Sequence, residues 1–140
     1  MDAVFDNYGF VINHIRHVTP KEAWELSQQG ILILDVREWY EIKYKKLPVD
    51  KLLVIPFLDF DDSMDLVPAD QPVIVADAAG VRSKMVMEKL MARGYKNLAN
   101  LAGGILEWER DGLPVTKDLC IELDGPCACM LNTWNKLKNK

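Results

Sequence analysis

The sequence predicts an α/β fold: a central, mainly parallel sheet of about five strands with helices on both faces, followed by a cysteine-containing C-terminal tail. Three observations lead there. Ile31-Leu-Ile-Leu34 and Val73-Ile-Val-Ala76 are short apolar runs, each followed by an aspartate. Continuous runs of that kind read as strands buried on both faces. Stretches of helical spacing lie between them, and strand–helix alternation is the pattern of a covered parallel sheet. Finally, 140 residues with 49% hydrophobic content are enough for one core without a disulfide or metal.

The elements follow in order. Residues 1–14 read as a lead and 15–115 as the domain. Thr19-Pro20-Lys21-Glu22 is a capping box with proline at the first helical position. It opens a helix through Ala23, Trp24 and Leu26 that ends at Gly30. The strand Ile31–Leu34 comes next, then a weaker run, Leu52-Leu-Val-Ile55, stopped by Pro56. After Val73–Ala76, the stretch Ser83–Arg93 places Val86, Met87, Leu90 and Met91 at helical spacing, with Gly94 as the stop. Ile105, Leu106, Trp108 and Glu109 suggest a last short helix, ended by Gly112 and Pro114. Residues 116–140 read as an appended tail, with a short helix expected around Met130–Leu137.

Composition narrows the function classes. A 27% charged content is that of an ordinary soluble chain. No apolar run approaches the ~20 residues of a membrane helix. MDAVFDNYGF carries two acids and no base, which argues against a secretory or transit signal and for a cytoplasmic protein. A net charge of −4 does not favour nucleic acid. Three cysteines, all late, do not suggest a disulfide framework. No cofactor or metal is expected, and the partner is an unknown protein or a small anion.

In parallel sheets ligands bind beyond the carboxyl ends of the strands. Asp35 and Asp77 stand at those ends. Asp77-Ala78-Ala79-Gly80-Val81-Arg82-Ser83 joins a buried strand directly to a helix. So tight a turn aims its amide N–H groups inward at a helix N-terminus, which makes an anion cradle. Gly80 supplies backbone freedom and Arg82 a nearby cation.

This loop resembles the active-site loop of rhodanese-like sulfurtransferases, which reads Cys-x-x-Gly-x-Arg-Ser. Asp35-Val36-Arg37-Glu38 is similar to the family's Asp-Val-Arg-Glu. Lys46-Leu47-Pro48 stands near its Gly-His-Ile-Pro turn in degraded form, and Ile55-Pro56 resembles its later Ile-Pro. Gly94-Tyr95, Leu98–Leu101, Gly103-Gly104-Ile-Leu-Glu-Trp108 and Gly112-Leu-Pro114 resemble its closing pattern. The loop length is that of the sulfurtransferase branch, since the related phosphatases carry one residue more.

The resemblance places Asp77 where the family has its nucleophilic cysteine. Sulfur transfer needs a thiolate that carries a persulfide, and a carboxylate cannot hold one. An ionised Asp77 can instead accept hydrogen bonds from its own loop. Its plain role is a loop-tying carboxylate, because a phosphoryl-accepting aspartate wants a metal and a partner acid. Asp35 and Arg37 are expected to tie neighbouring loops, and Arg82 to bind an anion or to pair with Asp77. His14 and His17 are expected in solvated or capping roles. The acidic run Asp59, Asp61, Asp62, Asp65 and the basic run Lys43, Lys45, Lys46, Lys51 are expected to be solvated faces.

The first functional reading is therefore a rhodanese-like domain without the loop cysteine, acting as a binding or regulatory module. The alternative is a sulfurtransferase or thiol-redox protein using Cys127 and Cys129, with Cys120 nearby. A Cys-x-Cys pair can carry a persulfide, chelate a soft metal or form a strained disulfide. A third reading is a phosphate-binding or phosphatase-like protein using the anion-binding loop.

Overall fold

The computed structural model describes residues 4–117, which form two compact units. In chain order the elements are β1 (Phe10–Ile12), β2 (Ile15–Val18), α1 (Pro20–Gln28), β3 (Leu32–Asp35), α2 (Trp39–Tyr44) and β4 (Lys45–Lys46). They continue with β5 (Leu52–Val54), α3 (Phe60–Ser63), β6 (Val73–Ala76), α4 (Val81–Ala92), β7 (Leu98–Leu101), α5 (Gly104–Arg110) and β8 (Thr116–Lys117). The α2, β4 and β8 elements belong to the smaller unit and all the others to the larger.

The larger unit carries a sheet in the order β1-β2-β7-β6-β3-β5. Every pairing is parallel except β1 with β2. Its central strands, β3, β6 and β7, are buried at every residue, the polar Asp35 and Asn100 included. Side chains alternate between faces along a strand. Leu32, Leu34, Val73, Val75 and Leu98 share one core with Val86, Met87 and Leu90 of α4. On the other face α1 and α5 pack together, with Trp24 edge-on to the buried Trp108, ring centroids 5.8 Å apart.

The Thr19 capping box forms as the sequence predicts. The Thr19 hydroxyl accepts from Glu22 N–H, and the Glu22 carboxylate accepts from Thr19 N–H at 2.9 Å. Gly9 N–H also donates to Glu22, at 2.9 Å. Burial alone would raise the Glu22 carboxyl, but donation by Thr19 and Gly9 outweighs it and holds it below the ordinary range. Sequence and structure differ at the start of the sheet. Phe10–Ile12, inside the expected lead, is an edge strand turned back on β2 through Asn13 and His14, both at positive φ.

In the smaller unit, α2 is capped by Glu38, whose N–H donates to Glu41 Oε1 at 3.0 Å, and it buries Ile42. β4 pairs antiparallel with β8, Lys46 opposite Thr116. Thr116 and Lys117, at the start of the expected tail, are thus part of a strand pair. Cys120, Cys127, Cys129 and the helix expected at Met130–Leu137 lie outside the described residues.

Candidate functional site

The loop between β6 and α4 turns within four residues, Asp77 to Gly80. β6 ends at Ala76, and Asp77 follows with only 1% of its surface exposed. Gly80 takes φ +91°, a left-handed conformation that other residues adopt only at a cost, and caps α4. That turn sends the following amides back towards Asp77. Gly80 N–H donates to Asp77 Oδ1. Arg82 N–H donates to Asp77 Oδ2 at 2.6 Å, and Ser83 N–H to the same oxygen at 3.2 Å. The Arg82 guanidinium stands 3.9 Å away through Nε. One carboxylate thus gathers three backbone donors at a helix N-terminus, where the helix dipole also favours negative charge.

The far side of the loop is held by α5. Ile105 N–H donates to the Asp77 carbonyl at 2.9 Å and Leu106 N–H to the Ala78 carbonyl at 3.0 Å. This closeness explains Gly104: a Cβ there would sit 2.6 Å from the Ala78 carbonyl and the Ala79 nitrogen, and its φ is +65°. Ala79 and Val81 are exposed, and Val81 presents 63% of its surface at the mouth of the loop.

Asp35 and Arg37 meet beside the strand ends. Arg37 Nη2 donates to Asp35 Oδ2 at 2.8 Å and Arg37 Nε to Asp35 Oδ1 at 3.1 Å, with both side chains buried. The Asp35 carbonyl accepts from Ile55 N–H at 3.1 Å, at the junction of β3 with the segment after β5. A buried fork of this kind fixes backbone more than it adds net stability.

One of the residues expected in a solvated or capping role is placed otherwise. His17 is buried, with Nδ1 3.0 Å from the Asn100 side-chain amide and its ring stacked on Phe10 at 5.3 Å. Pairing of β2 with β7 puts His17 directly opposite Asn100 and draws it under cover. Burial, with Lys84 adding to it, holds the imidazole below its ordinary pKa. The acidic run is exposed but partly paired: Asp61 meets Lys89 at 2.7 Å and Asp65 meets Arg93 at 2.9 Å. Asn100 is the part of the site least visible beforehand. Ser83 Oγ donates to Asn100 Oδ1 and lies 3.5 Å from Asp77 Oδ1. The available signal was one polar residue inside the apolar run Leu98-Ala-Asn-Leu101.

A separate cavity of about 420 Å³ opens between the β1–β2 hairpin and α4, lined by Phe5, Val11, His14, Met87 and Met91 among others. It includes no residue of the Asp77 loop. No cluster of metal-ligating side chains occurs among the described residues.

Residues 19–111 match the family model of the rhodanese-like domain. A thiosulfate sulfurtransferase (GlpE) of Haemophilus influenzae is 35% identical over 101 residues, covering 71% of this chain and 93% of that protein. A sulfurtransferase of Allochromatium vinosum is 33% identical over 87 residues, covering 62% and 79%. Among solved structures, a rhodanese-related protein of Thermoplasma volcanium superposes with a TM-score of 0.66 at 26% identity, covering 74% of this chain and 99% of that one. With the sheet order, the strand-end aspartates and the loop geometry in place, these likenesses identify the chain as a member of the rhodanese-like domain family.

Proposed function

We propose that this chain is a non-catalytic rhodanese-like module, whose loop is filled by its own carboxylate and serves binding or regulation. The observation that carries the reading is the convergence of the Gly80, Arg82 and Ser83 amides on Asp77. In a sulfurtransferase those donors would stabilise a thiolate and the persulfide formed on it. Asp77 takes the position that the family loop pattern gives to the cysteine, and the described residues contain no thiol. A carboxylate neither attacks sulfane sulfur productively nor retains it.

The same filling argues against a small external anion as ligand. The donors are already used, and the Asp77 charge would repel a second anion at a few ångströms. A protein partner fits better. Val81 and Leu106, 63% and 52% exposed, set apolar surface at the loop, and Met85 continues it along α4 at 47%.

The test is thiosulfate-to-cyanide sulfur transfer by the full chain, alongside Cys127→Ser and Cys129→Ser variants. The reading expects no turnover above background in any of them. Turnover lost in either variant would replace it with a sulfurtransferase whose nucleophile lies in the tail. Turnover kept in both would contradict it outright.

A further inference from the structure

Beside the loop amides, a second set of groups reaches Asp77 from inside the sheet. Asn100 is 1% exposed on β7. Its side-chain nitrogen is 3.0 Å from His17 Nδ1, and its oxygen accepts from Ser83 Oγ. Ser83, itself buried in the first turn of α4, also stands 3.5 Å from Asp77 Oδ1. The groups form one line: His17, Asn100, Ser83, Asp77. Buried polar groups placed in an apolar sheet are costly unless every donor and acceptor is matched.

The matching has two solutions. A serine hydroxyl has one proton to give, so Ser83 donates to Asn100 or to Asp77. Which one depends on the imidazole. With His17 neutral and Nδ1 unprotonated, the Asn100 NH₂ donates to the ring, its oxygen faces Ser83, and the hydroxyl proton is spent on Asn100. With His17 protonated, Nδ1–H confronts the NH₂ group, donor against donor. Turning the amide over restores the match. Asn100 oxygen then accepts from Nδ1–H, its NH₂ donates to Ser83 Oγ, and the hydroxyl proton swings to Asp77 Oδ1. No bond other than hydrogen bonds changes, and the only proton gained is the one on His17.

We infer that His17 is a proton-responsive site coupled through Asn100 and Ser83 to the carboxylate that fills the loop. Neutral, it leaves Asp77 with its backbone donors. Protonated, it gives Asp77 an additional hydroxyl donor and ties β2, β7 and α4 to the loop. This regulation rests on the reading of Asp77 as the occupant of the cradle. The groups around the imidazole leave room for the response. The edge strand contributes the uncharged Phe10 ring and β7 the uncharged Asn100. From α4 comes the Lys84 cation, and on β2 itself Arg16 is engaged with the Tyr8 carbonyl at 2.8 Å. The carboxylate that the protonated ring reaches through the line is Asp77.

Coupling of this kind is reciprocal. Removing the charge of Asp77 must weaken proton binding at His17, and must do so only while Ser83 can transmit it. The experiment is a pH titration of the full chain by long-range ¹⁵N–¹H correlation at the histidine rings, with His14 and His17 distinguished by His14→Gln. In the unsubstituted ring the Nε2–H tautomer is expected at high pH. Asp77→Asn is expected to lower the His17 protonation constant about three- to tenfold, the value of one hydrogen bond of ordinary net strength. In a Ser83→Ala background the same change is expected to fall within twofold. An Nδ1–H tautomer at high pH would overturn the proposal without any substitution. So would an Asp77→Asn effect of equal size with and without Ser83, which would mean direct charge coupling. Sulfur transfer is assayed separately: an active protein with this coupling intact refutes only the functional reading, and an inactive one without it refutes only the relay.

Discussion

Replacing Asp77 with alanine takes the shared acceptor away from three backbone N–H groups and leaves the loop otherwise unchanged. Asp77 is buried, and it accepts from Gly80, Arg82 and Ser83, the last two at 2.6 and 3.2 Å. Hydrogen bonds to a charged group are worth about 1.5–3 kcal/mol each, and a buried donor left unmatched costs about 1–3 kcal/mol. The sum is an upper bound, because water entering the vacated space re-satisfies part of it. A destabilisation of about 2–4 kcal/mol is expected, within the roughly 5–15 kcal/mol that holds a domain folded. The assay is urea unfolding of both proteins, with and without sulfate. The vacated loop should accept sulfate as helix N-termini do. At 100 times its Kd the ion would restore about 2.7 kcal/mol to the variant. General salting effects act on both proteins alike, so the difference between them carries the result. A variant within about 0.5 kcal/mol of the parent, the range of an ordinary surface substitution, or an equal response of both to sulfate, would mean that Asp77 does not hold the loop amides.

Other expectations concern the frame around the loop. Asp35→Asn removes the carboxylate charge onto which the buried Arg37 guanidinium forks, and a loss of about 3–5 kcal/mol is expected in the same unfolding assay. Gly104→Ala drives a methyl into the Ala78–Ala79 backbone from a left-handed position; about 2–4 kcal/mol should be lost, with the Ile105 and Leu106 amides losing protection from hydrogen exchange. Glu22 has a lowered folded pKa, so its stabilisation is present above the ordinary glutamate value and is lost as pH falls through the folded one. Glu22→Gln should therefore flatten the stability profile below about pH 4.5 and leave its shape near neutrality unchanged.

The parts legible in the sequence were those whose own residues decide them. β6 is all apolar and β3 is apolar up to its terminal Asp35, which leaves both nowhere to go but the middle of a sheet. α1 carries its start signal in Thr19 and Glu22. The loop was legible because a strand, one glycine and a helix leave few ways to turn. β1 was not, because all its residues are exposed and it is a strand only through pairing with β2. The Asn13–His14 turn lacks the glycine that usually marks such hairpins. α2 has six residues, too few to show a helical period. His17 and Asn100 reveal their role only in register, because a residue's sheet neighbour is set by topology and not by its place in the chain.

The proposed part of Asp77 is to occupy an anion cradle formed by the loop amides. It is tested most directly by Asp77→Cys, read as the rate of thiol alkylation against pH, with Cys120, Cys127 and Cys129 changed to serine so that one thiol remains. Three inward amides and a helix N-terminus should stabilise the thiolate. An inflection at least about one unit below the ordinary ~8.5 of a free cysteine is expected. An inflection at or above that value would contradict it, because the amides would then not be gathered on that position.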